Sequence, residues 1–308
     1  MKLAGVTLCY NESEMIKYVM PYWERIGIDK LIVYDNMSSD NSVELLSKYA
    51  FVEIRSFDTN GKFCDRTNAR LKSNTYLELK NQGYDWIFIG DFDEVVFCPN
   101  PNIREELQKI ENYDGAFFNR DMVQPFSMEY IKFDESKLIH EQMPYFITWH
   151  DDSRKWGGSK VILINTKKVD KINYSHGAHM CYFKHNNDNI KNFGYPFISF
   201  HLKYVDTQRL ENISKERHNR IAWRMEVPKC SEITKRHLLK RYSELQEDSL
   251  ITKLQRFYDK CEKLKTTNWN EFIEYYNEIY FVDKHKFRNF PDITTIDYDK
   301  IDKSIFYN

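Results

Sequence analysis

Acidic side chains are concentrated in residues 89–96 (IGDFDEVV), directly after an apolar run at 86–89. Asp91 and Asp93 form a D-x-D triplet, and in an extended segment the side chains of residues i and i+2 point the same way. Two carboxylates on one ion leave positions on Mg²⁺ or Mn²⁺ for phosphate oxygens. The triplet therefore predicts a metal site at Asp91 and Asp93 that stabilises a departing nucleotide diphosphate. The alternative is an ordinary acidic loop, because a D-x-D triplet alone has low specificity.

Apolar strands and amphipathic helices alternate through the first 100 residues. The pattern predicts strands at 3–10, 30–34, 51–57 and 85–89 and helices at 12–27, 42–49 and 65–82. In the first helix the apolar residues recur at helical spacing, and Gly27 suits the position at which a helix ends. This alternation predicts an α/β fold with a mostly parallel sheet that helices cover on both faces.

Polar residues follow three of the predicted strands at their carboxyl ends. Asn11 and Glu12 follow the first strand, Asp35 and Asn36 follow the second, and the D-x-D triplet follows the fourth. In open parallel sheets, ligands bind beyond the carboxyl ends of the strands. We therefore expect these side chains to converge at the mouth of a site rather than in the core.

The later part of the chain carries weaker signals. Residues 160–164 (KVILI) have the pattern of a strand. A glycine-containing loop before them places Lys160 at the start of that strand. Lys160 could neutralise a diphosphate there, and the alternative is a surface lysine. From residue 206, leucine and aromatic residues recur at helical spacing, so we expect helices at 206–265.

Three segments together resemble the glycosyltransferases of the GT-A fold. They are LCYNE (8–12), VYDNMSSDNS (33–42) and DFDE (91–94), and the match is closest to a family 2-like group that also resembles family 92. Val95 stands where this group usually has an aromatic residue. The resemblance covers about residues 1–215.

Later pieces of the chain resemble the same group in part. The segment GGSKVILI is similar to the group's lysine-bearing strand, and His176 and His201 fall near its two C-terminal histidines. After His201, however, Leu202 replaces a family tyrosine and a family Lys-Ser pair is missing.

The resemblance implies a Rossmann-like GT-A catalytic domain at 1–205 that binds a nucleotide sugar, with a C-terminal helical region at 206–308 packed on it. It implies a glycosyltransferase that depends on Mn²⁺ or Mg²⁺ and moves a sugar from a nucleotide donor, UDP being favoured, to a glycan acceptor. A growing surface polysaccharide or a glycolipid would fit as the acceptor.

The resemblance also implies roles at the donor site. Tyr10, Asn11 and Glu12 would line the nucleoside pocket, and Asp35 would accept the imide N–H of uracil, a hydrogen bond that a charged acceptor strengthens. For Asp35 and Asn36 the alternative is a turn cap, a common use of these residues.

Two further donor contacts are expected where the third helix begins. Arg66 and Asn68 could reach the donor there, since helix N-termini attract phosphate. The alternative for both is a solvated helix start.

A C-terminal histidine supplies a third metal ligand in many enzymes of the GT-A fold. His201 follows the apolar run FISF and so lies at a strand end, which makes it the favoured ligand. His176 is the second choice and His179 the third candidate. A lone histidine is otherwise a structural or exposed residue.

An inverting transfer needs a carboxylate that takes the proton of the acceptor hydroxyl. Asp121, Asp151 and Asp152 lie between the D-x-D triplet and the lysine strand, where the acceptor is expected. Each could instead be a solvated loop acid, and a retaining enzyme would not need such a base in that place.

Composition narrows the possible classes of protein. A net charge of -1 points to no nucleic-acid partner, and the six cysteines form no C-x-x-C pair. No stretch reaches 18 apolar residues and the N-terminus lacks a signal-peptide pattern, so we expect a cytoplasmic protein. The basic character of 206–265 would allow peripheral contact with an anionic membrane surface, and the alternative is an ordinary solvated helix face.

Two other functions compete with sugar transfer. A nucleotidyltransferase would normally carry a glycine-rich loop after the first strand, and CYNESE at 9–14 contains no glycine. A non-catalytic glycan-binding protein that retains the fold is the second alternative, and the intact Asp91 and Asp93 argue against it.

Overall fold

A computed structural model describes residues 1–59, 65–98, 102–112, 115–134, 136–148, 159–174, 181–184, 191–193 and 197–202, together with 205–206, 208–209, 212, 252, 255–256, 258–259 and 271–272. At 65–66, 119–121, 148, 159 and 191–193 it describes the backbone alone.

Strands and helices alternate through the first half of the described chain. The order is β1 (Leu3–Cys9), α1 (Ser13–Arg25), β2 (Lys30–Asp35), α2 (Ser42–Leu46), β3 (Val52–Ser56), α3 (Asp65–Asn81), β4 (Trp86–Ile89), β5 (Glu94–Phe97) and α4 (Ile103–Asn112). Strands then dominate: β6 (Gly115–Phe126), a 3₁₀ turn (Ile139–Gln142), β7 (Tyr145–Thr148), β8 (Ser159–Asn165), β9 (Lys171–Tyr174), β10 (Cys181–Lys184), β11 (Lys191–Phe193) and β12 (Ile198–His201). Each strand and helix predicted in the first 100 residues is present.

The central sheet has ten described strands, and its main path runs β3-β2-β1-β4-β8-β6-β12-β5. Strands β3, β2, β1 and β4 are mutually parallel, as the alternation predicted. Beyond β4 the sheet becomes mixed, because β8 runs antiparallel to both β4 and β6. Strands β7 and β11 pair with β6 outside the main path, and β9 and β10 form a separate hairpin.

The second half of the sheet brings further strand ends to the same edge. Because β8 is antiparallel to β4, it begins where β4 ends. Strand β12 pairs antiparallel with β5, so that His201 lies opposite Glu94. The start of β8 and the end of β12 therefore join the carboxyl ends of β1, β2 and β4.

Helices cover both faces of the sheet, which confirms the predicted α/β class. On one face α1, α2 and α4 bury residues such as Trp23, Leu46 and Leu107 against the strands. On the other face Tyr76 and Leu79 of α3 belong to a second apolar cluster. Each fully buried side chain of this size contributes about 1.5–3 kcal/mol to stability, so neither face needs a disulfide.

Helix α1 ends as its sequence predicted. Gly27 has φ +61, a left-handed conformation that glycine adopts without a steric penalty. Its N–H donates to the carbonyl of Glu24 at 3.0 Å. This ending turns the chain directly into β2.

Described pieces of the C-terminal region lie against the sheet domain. Phe272 is buried and stacks on Phe146 of β7 at 4.9 Å between ring centroids. Tyr258 meets Tyr145 edge-on at 5.1 Å. The predicted boundary at residue 205 and the helices at 206–265 fall largely outside the described residues, and they stay predictions. Among helices in the described ranges, none combines the length and apolar character needed to cross a bilayer.

Candidate functional site

The loops after β1 and β2 are tied to each other by hydrogen bonds. The backbone N–H of Asn11 donates to Ser38 Oγ at 2.9 Å, and Asn11 Oδ1 accepts the N–H of Ser39 at 2.8 Å. Asn11 and Met37 both have positive φ, at 52° and 59°. For a residue such as Met37 this conformation is uncommon and is found most often at functional sites. The two loops therefore hold a defined shape at the sheet edge.

The two carboxylate oxygens of Asp35 have different surroundings. Its Oδ2 accepts the N–H of Ser38 at 3.2 Å, which is the turn cap. Its Oδ1 is buried and has no hydrogen-bond partner among the described residues, and the side chain is just 4% exposed. A buried carboxylate oxygen without a partner is costly, so this atom is a candidate contact for a ligand donor.

The neighbouring polar residues differ in what they contact. The side chain of Asn36 is held by Thr59, with Asn36 Nδ2 donating to Oγ1 at 2.9 Å and Oδ1 accepting the Thr59 N–H at 3.2 Å. These hydrogen bonds give Asn36 a structural role. Its contact with the nucleotide donor stays a prediction. Tyr10 and Glu12 are partly exposed at the same edge, as a pocket lining requires.

The D-x-D triplet lies in a turn rather than in an extended segment. Residues 92–93 form the turn, which the N–H of Glu94 closes by donating to the Asp91 carbonyl at 3.0 Å. The side chain of Phe92 points into the core. The expectation that Asp91 and Asp93 project in parallel from extended backbone is therefore wrong, because the turn gives their carboxylates different neighbours.

The carboxylate of Asp91 contacts two lysines. Lys72 Nζ lies 2.6 Å from Oδ1 and Lys160 Nζ lies 2.9 Å from Oδ2. The Asp91 side chain is 45% exposed, whereas Lys72 is 2% exposed. Partial desolvation of Asp91 would raise its pKa, but the charges and hydrogen bonds of Lys160 and Lys72 outweigh it and hold the pKa well below its usual range.

Lys160 stands at the start of β8, as predicted, but it is buried. Besides Asp91, its ammonium group pairs with Glu94, whose side chain is 1% exposed. Burial acts to lower the pKa of Lys160, and the two carboxylates outweigh that effect and raise it. Glu94 also accepts the backbone N–H of Asp91 through Oε2 at 3.1 Å. The predicted contact of Lys160 with a diphosphate stays a prediction, because Asp91 and Glu94 neutralise the charge of Lys160.

Asp93, Glu94 and His201 form a group of possible metal ligands. One ligand atom from each lies within 4.8 Å of the others, and His201 Nε2 is 3.5 Å from Asp93 Oδ2. Two carboxylates and one imidazole suit Mn²⁺ and can also bind Mg²⁺. The donor set fits the predicted cofactor, with Glu94 in place of Asp91 beside the predicted Asp93 and His201.

Glu94 and Lys72 are the site residues that sequence reasoning missed. Glu94 lies in the acidic segment 89–96, but its position opposite His201 depends on the pairing of β5 with β12. Lys72 did leave a signal, because it lies in the buried stripe of α3 with Ala69 and Tyr76. A lysine at an apolar position of an amphipathic helix indicates a buried charge that needs a partner.

The remaining predicted residues are less defined. Asn68 is half-buried in the first turn of α3, and for Arg66 the backbone alone is described. Asp121 lies on β6 opposite Ser159, again with backbone alone described. Asp151, Asp152 and His176 fall outside the described residues.

Comparison with solved structures finds distant likenesses. TarS 1–349 of S. aureus aligns over 80% of this chain and 71% of its own length, at 11% identity and a TM-score of 0.37. Against a longer S. aureus TarS chain, this chain spans 43% of the length at 12% identity and a TM-score of 0.38.

A glucosyl-3-phosphoglycerate synthase of Mycobacterium tuberculosis, in complex with Mn²⁺, uridine diphosphate and glucosyl-3-phosphoglycerate, aligns over 42% of this chain and 44% of its own. Its identity is 15% and its TM-score 0.25. A 4-diphosphocytidyl-2C-methyl-D-erythritol synthase of Anaerococcus prevotii aligns over 54% of this chain and 70% of its own, at 10% identity and a TM-score of 0.28. No family model and no curated protein matches the chain.

Proposed function

We propose that this chain is a metal-dependent glycosyltransferase that moves a sugar from a nucleotide donor, UDP being favoured, to a glycan or glycolipid acceptor. One observation carries the proposal. The buried Asp35 oxygen, which has no partner in the described part of the chain, and the ligand group of Asp93, Glu94 and His201 lie at strand ends on one edge of the sheet. A nucleotide diphosphate needs both, a polar contact for its base and a cation for its phosphates.

At the base end, Asp35 would accept a hydrogen bond from the imide N–H of uracil through Oδ1. That contact would give a partner to a buried oxygen that has none within the described ranges. Tyr10, Asn11 and Glu12 would line the nucleoside pocket, since their loop is fixed against the loop after β2. Arg66 and Asn68, where α3 begins, are further candidates for donor contact.

At the phosphate end, Asp93, Glu94 and His201 would hold Mn²⁺ or Mg²⁺. A bound divalent ion there would stabilise the charge that develops on the departing diphosphate. Asp91 would orient the buried ammonium groups of Lys72 and Lys160, which add positive charge below the metal ligands. In this proposal Asp91 is the alternative metal ligand to Glu94, and His176 is the alternative to His201.

The acceptor hydroxyl must lose a proton as the new bond forms, and Asp121, Asp151 and Asp152 are the candidate bases for an inverting transfer. Asp121 is on β6, whose partner β8 carries Lys160 into the site. In the cell, we propose a cytoplasmic enzyme of surface polysaccharide or glycolipid synthesis. The basic region 206–265 would allow peripheral contact with an anionic membrane.

A panel of UDP-, GDP-, CDP- and TDP-sugars, each with Mn²⁺, Mg²⁺ or EDTA, tests the proposal. We expect slow release of free sugar and UDP from a UDP-sugar with metal, and none with EDTA. Formation of a nucleotide sugar and pyrophosphate from UTP and a sugar phosphate would instead indicate a nucleotidyltransferase. Glycan binding without turnover of any donor would indicate the non-catalytic alternative.

A further inference from the structure

Lys72 is a fully buried lysine in the middle of α3. Its side chain is 2% exposed, and its Nζ donates to Asp91 Oδ1 at 2.6 Å. Burying an ammonium group costs free energy unless a carboxylate and hydrogen bonds compensate for it. An apolar residue at this position would complete the stripe of α3 without that cost. Packing alone therefore does not explain a lysine at position 72.

Among the described residues, the charges in direct contact around Asp91 balance without a metal ion. Lys72 and Lys160 supply two positive charges, and Asp91 and Glu94 supply two negative charges, in one set of direct contacts. Asp93 adds a further carboxylate beside this set, close to His201. A divalent ion held by Asp93, Glu94 and His201 would bind next to Lys160, which contacts Glu94 itself, and Lys72 would lie on the far side of the Asp91 carboxylate that the two lysines share.

We propose that Lys72 is a resident cation that competes with the divalent ion for the acidic turn and thereby sets the metal affinity of the site. The inference rests on the metal site of the proposed function and adds a residue that determines how tightly the metal is held. Lys72 pairs with Oδ1 of Asp91, and Asp91 shares Lys160 with Glu94 of the ligand group, so the charge of Lys72 would oppose a divalent ion bound there.

Removing Lys72 has two effects in the same direction. The loss of one positive charge near a divalent ion strengthens binding, on the order of tenfold for neighbouring groups even where solvent screens them. Asp91 also loses the ammonium partner on Oδ1 and gains freedom to turn toward the metal. Tighter binding is an informative outcome, because a variant that folds poorly would bind metal more weakly.

Titration of Mn²⁺ by isothermal calorimetry, without any nucleotide, tests this inference on the full chain. We expect Lys72→Met to bind Mn²⁺ at least about tenfold more tightly than the parent, while Lys72→Arg, which keeps the charge, stays within about threefold. The Mn²⁺-induced rise in melting temperature should increase in Lys72→Met and not in Lys72→Arg. Equal or weaker binding by a folded Lys72→Met would overturn the inference.

A second pair of variants covers the case in which Lys72→Met does not fold. Asp91→Asn should bind Mn²⁺ more weakly than the parent, and Asp91→Asn combined with Lys72→Met should recover the lost affinity, because the charge balance is restored. Equal affinities of the single and the double variant would also overturn the inference. If the parent binds no Mn²⁺ but Lys72→Met does, the inference stands and the proposed function loses its metal. If neither binds, both are wrong.

Discussion

The two ends of the candidate site are built from different interactions. At the base end, the loops after β1 and β2 are held by hydrogen bonds between amides, hydroxyls and backbone, such as those of Asn11 with Ser38 and Ser39. At the phosphate end, the turn after β4 is held by ion pairs of the buried Lys72 and Lys160, which join α3, β5 and β8. Hydrogen bonds between uncharged groups therefore shape one end, whereas pairs of opposite charges shape the other.

This comparison leads to different sensitivities. Single hydrogen bonds contribute about 0.5–1.5 kcal/mol each, and their loss affects one loop. Breaking a buried ion pair costs about 3–5 kcal/mol, because a charge is left without its partner in a desolvated place. We therefore expect the phosphate end to limit stability and the base end to limit specificity.

The largest effect is expected for Lys160→Met. The change leaves Glu94 buried without its ammonium partner and removes one of the two lysines on Asp91. We expect the free energy of unfolding to fall by about 3–5 kcal/mol, measured by urea denaturation. The matched control is Lys80→Met, which removes the more exposed pair with Asp170 and should cost about 1 kcal/mol or less. Equal losses in both variants would show that burial of the Lys160 pair has no special weight.

The next effect concerns catalysis at Asp93. Asp93→Asn keeps the shape of the side chain but leaves a poorer ligand for a hard cation. Losing about 3–4 kcal/mol of stabilisation of the leaving diphosphate would lower turnover about 100- to 1000-fold. The metal-induced rise in melting temperature should also largely disappear. Asp170→Asn, near the opposite edge of the sheet, is the control. Full turnover of Asp93→Asn with Mn²⁺ would remove Asp93 from the metal site.

Lowering the pH should reduce the free energy of unfolding, because His140 is buried against β5 and β12. This histidine is 3% exposed and stacks on Phe200 of β12 at 5.1 Å, also contacting Phe97 of β5. Burial, and to a lesser degree the charge of Arg25, lowers the pKa of His140 to about 3.

In the unfolded chain the pKa of histidine is about 6.5, so the unfolded state binds the proton first as pH falls. Stability contributed by neutral His140 is present above about pH 6.5 and declines toward pH 3, by up to about 1.4 kcal/mol per pH unit. Urea denaturation of the parent and of His140→Leu between pH 7 and pH 4 measures the difference. If both lose stability with the same slope, His140 is not the group that titrates.

The sequence predicted the base end better than the phosphate end. Hydrophobic periodicity located β1, α1 and β2, and the polar residues after each strand followed from the rule for parallel sheets. The turn at Asp91 to Glu94 differs from the predicted extended segment, because nothing local distinguishes a D-x-D turn from a D-x-D strand.

Contacts between distant segments could not be predicted from the sequence either. The pairing of β5 with β12 brings Glu94 opposite His201, more than 100 residues later in the chain. The meeting of Lys72 with Asp91 depends on how α3 packs beside β4. Such partners come from tertiary packing, which local patterns do not encode, although the buried lysine in the apolar stripe of α3 indicated that a partner must exist.

The smallest expected effect tests the base end through specificity. Asp35→Ala removes the unpartnered oxygen proposed to accept the uracil N–H, and UDP should bind about 1–3 kcal/mol more weakly. CDP should be affected less, because cytosine has no N–H at that ring position, so the preference for UDP over CDP should shrink. Asn36→Ala, which cuts the loop from Thr59, is the control for loop shape and should weaken UDP and CDP alike. Calorimetric titration of both nucleotides into the three proteins separates these outcomes. An unchanged ratio of UDP to CDP affinity in a folded Asp35→Ala would leave the turn cap as the role of Asp35, and would place base recognition elsewhere.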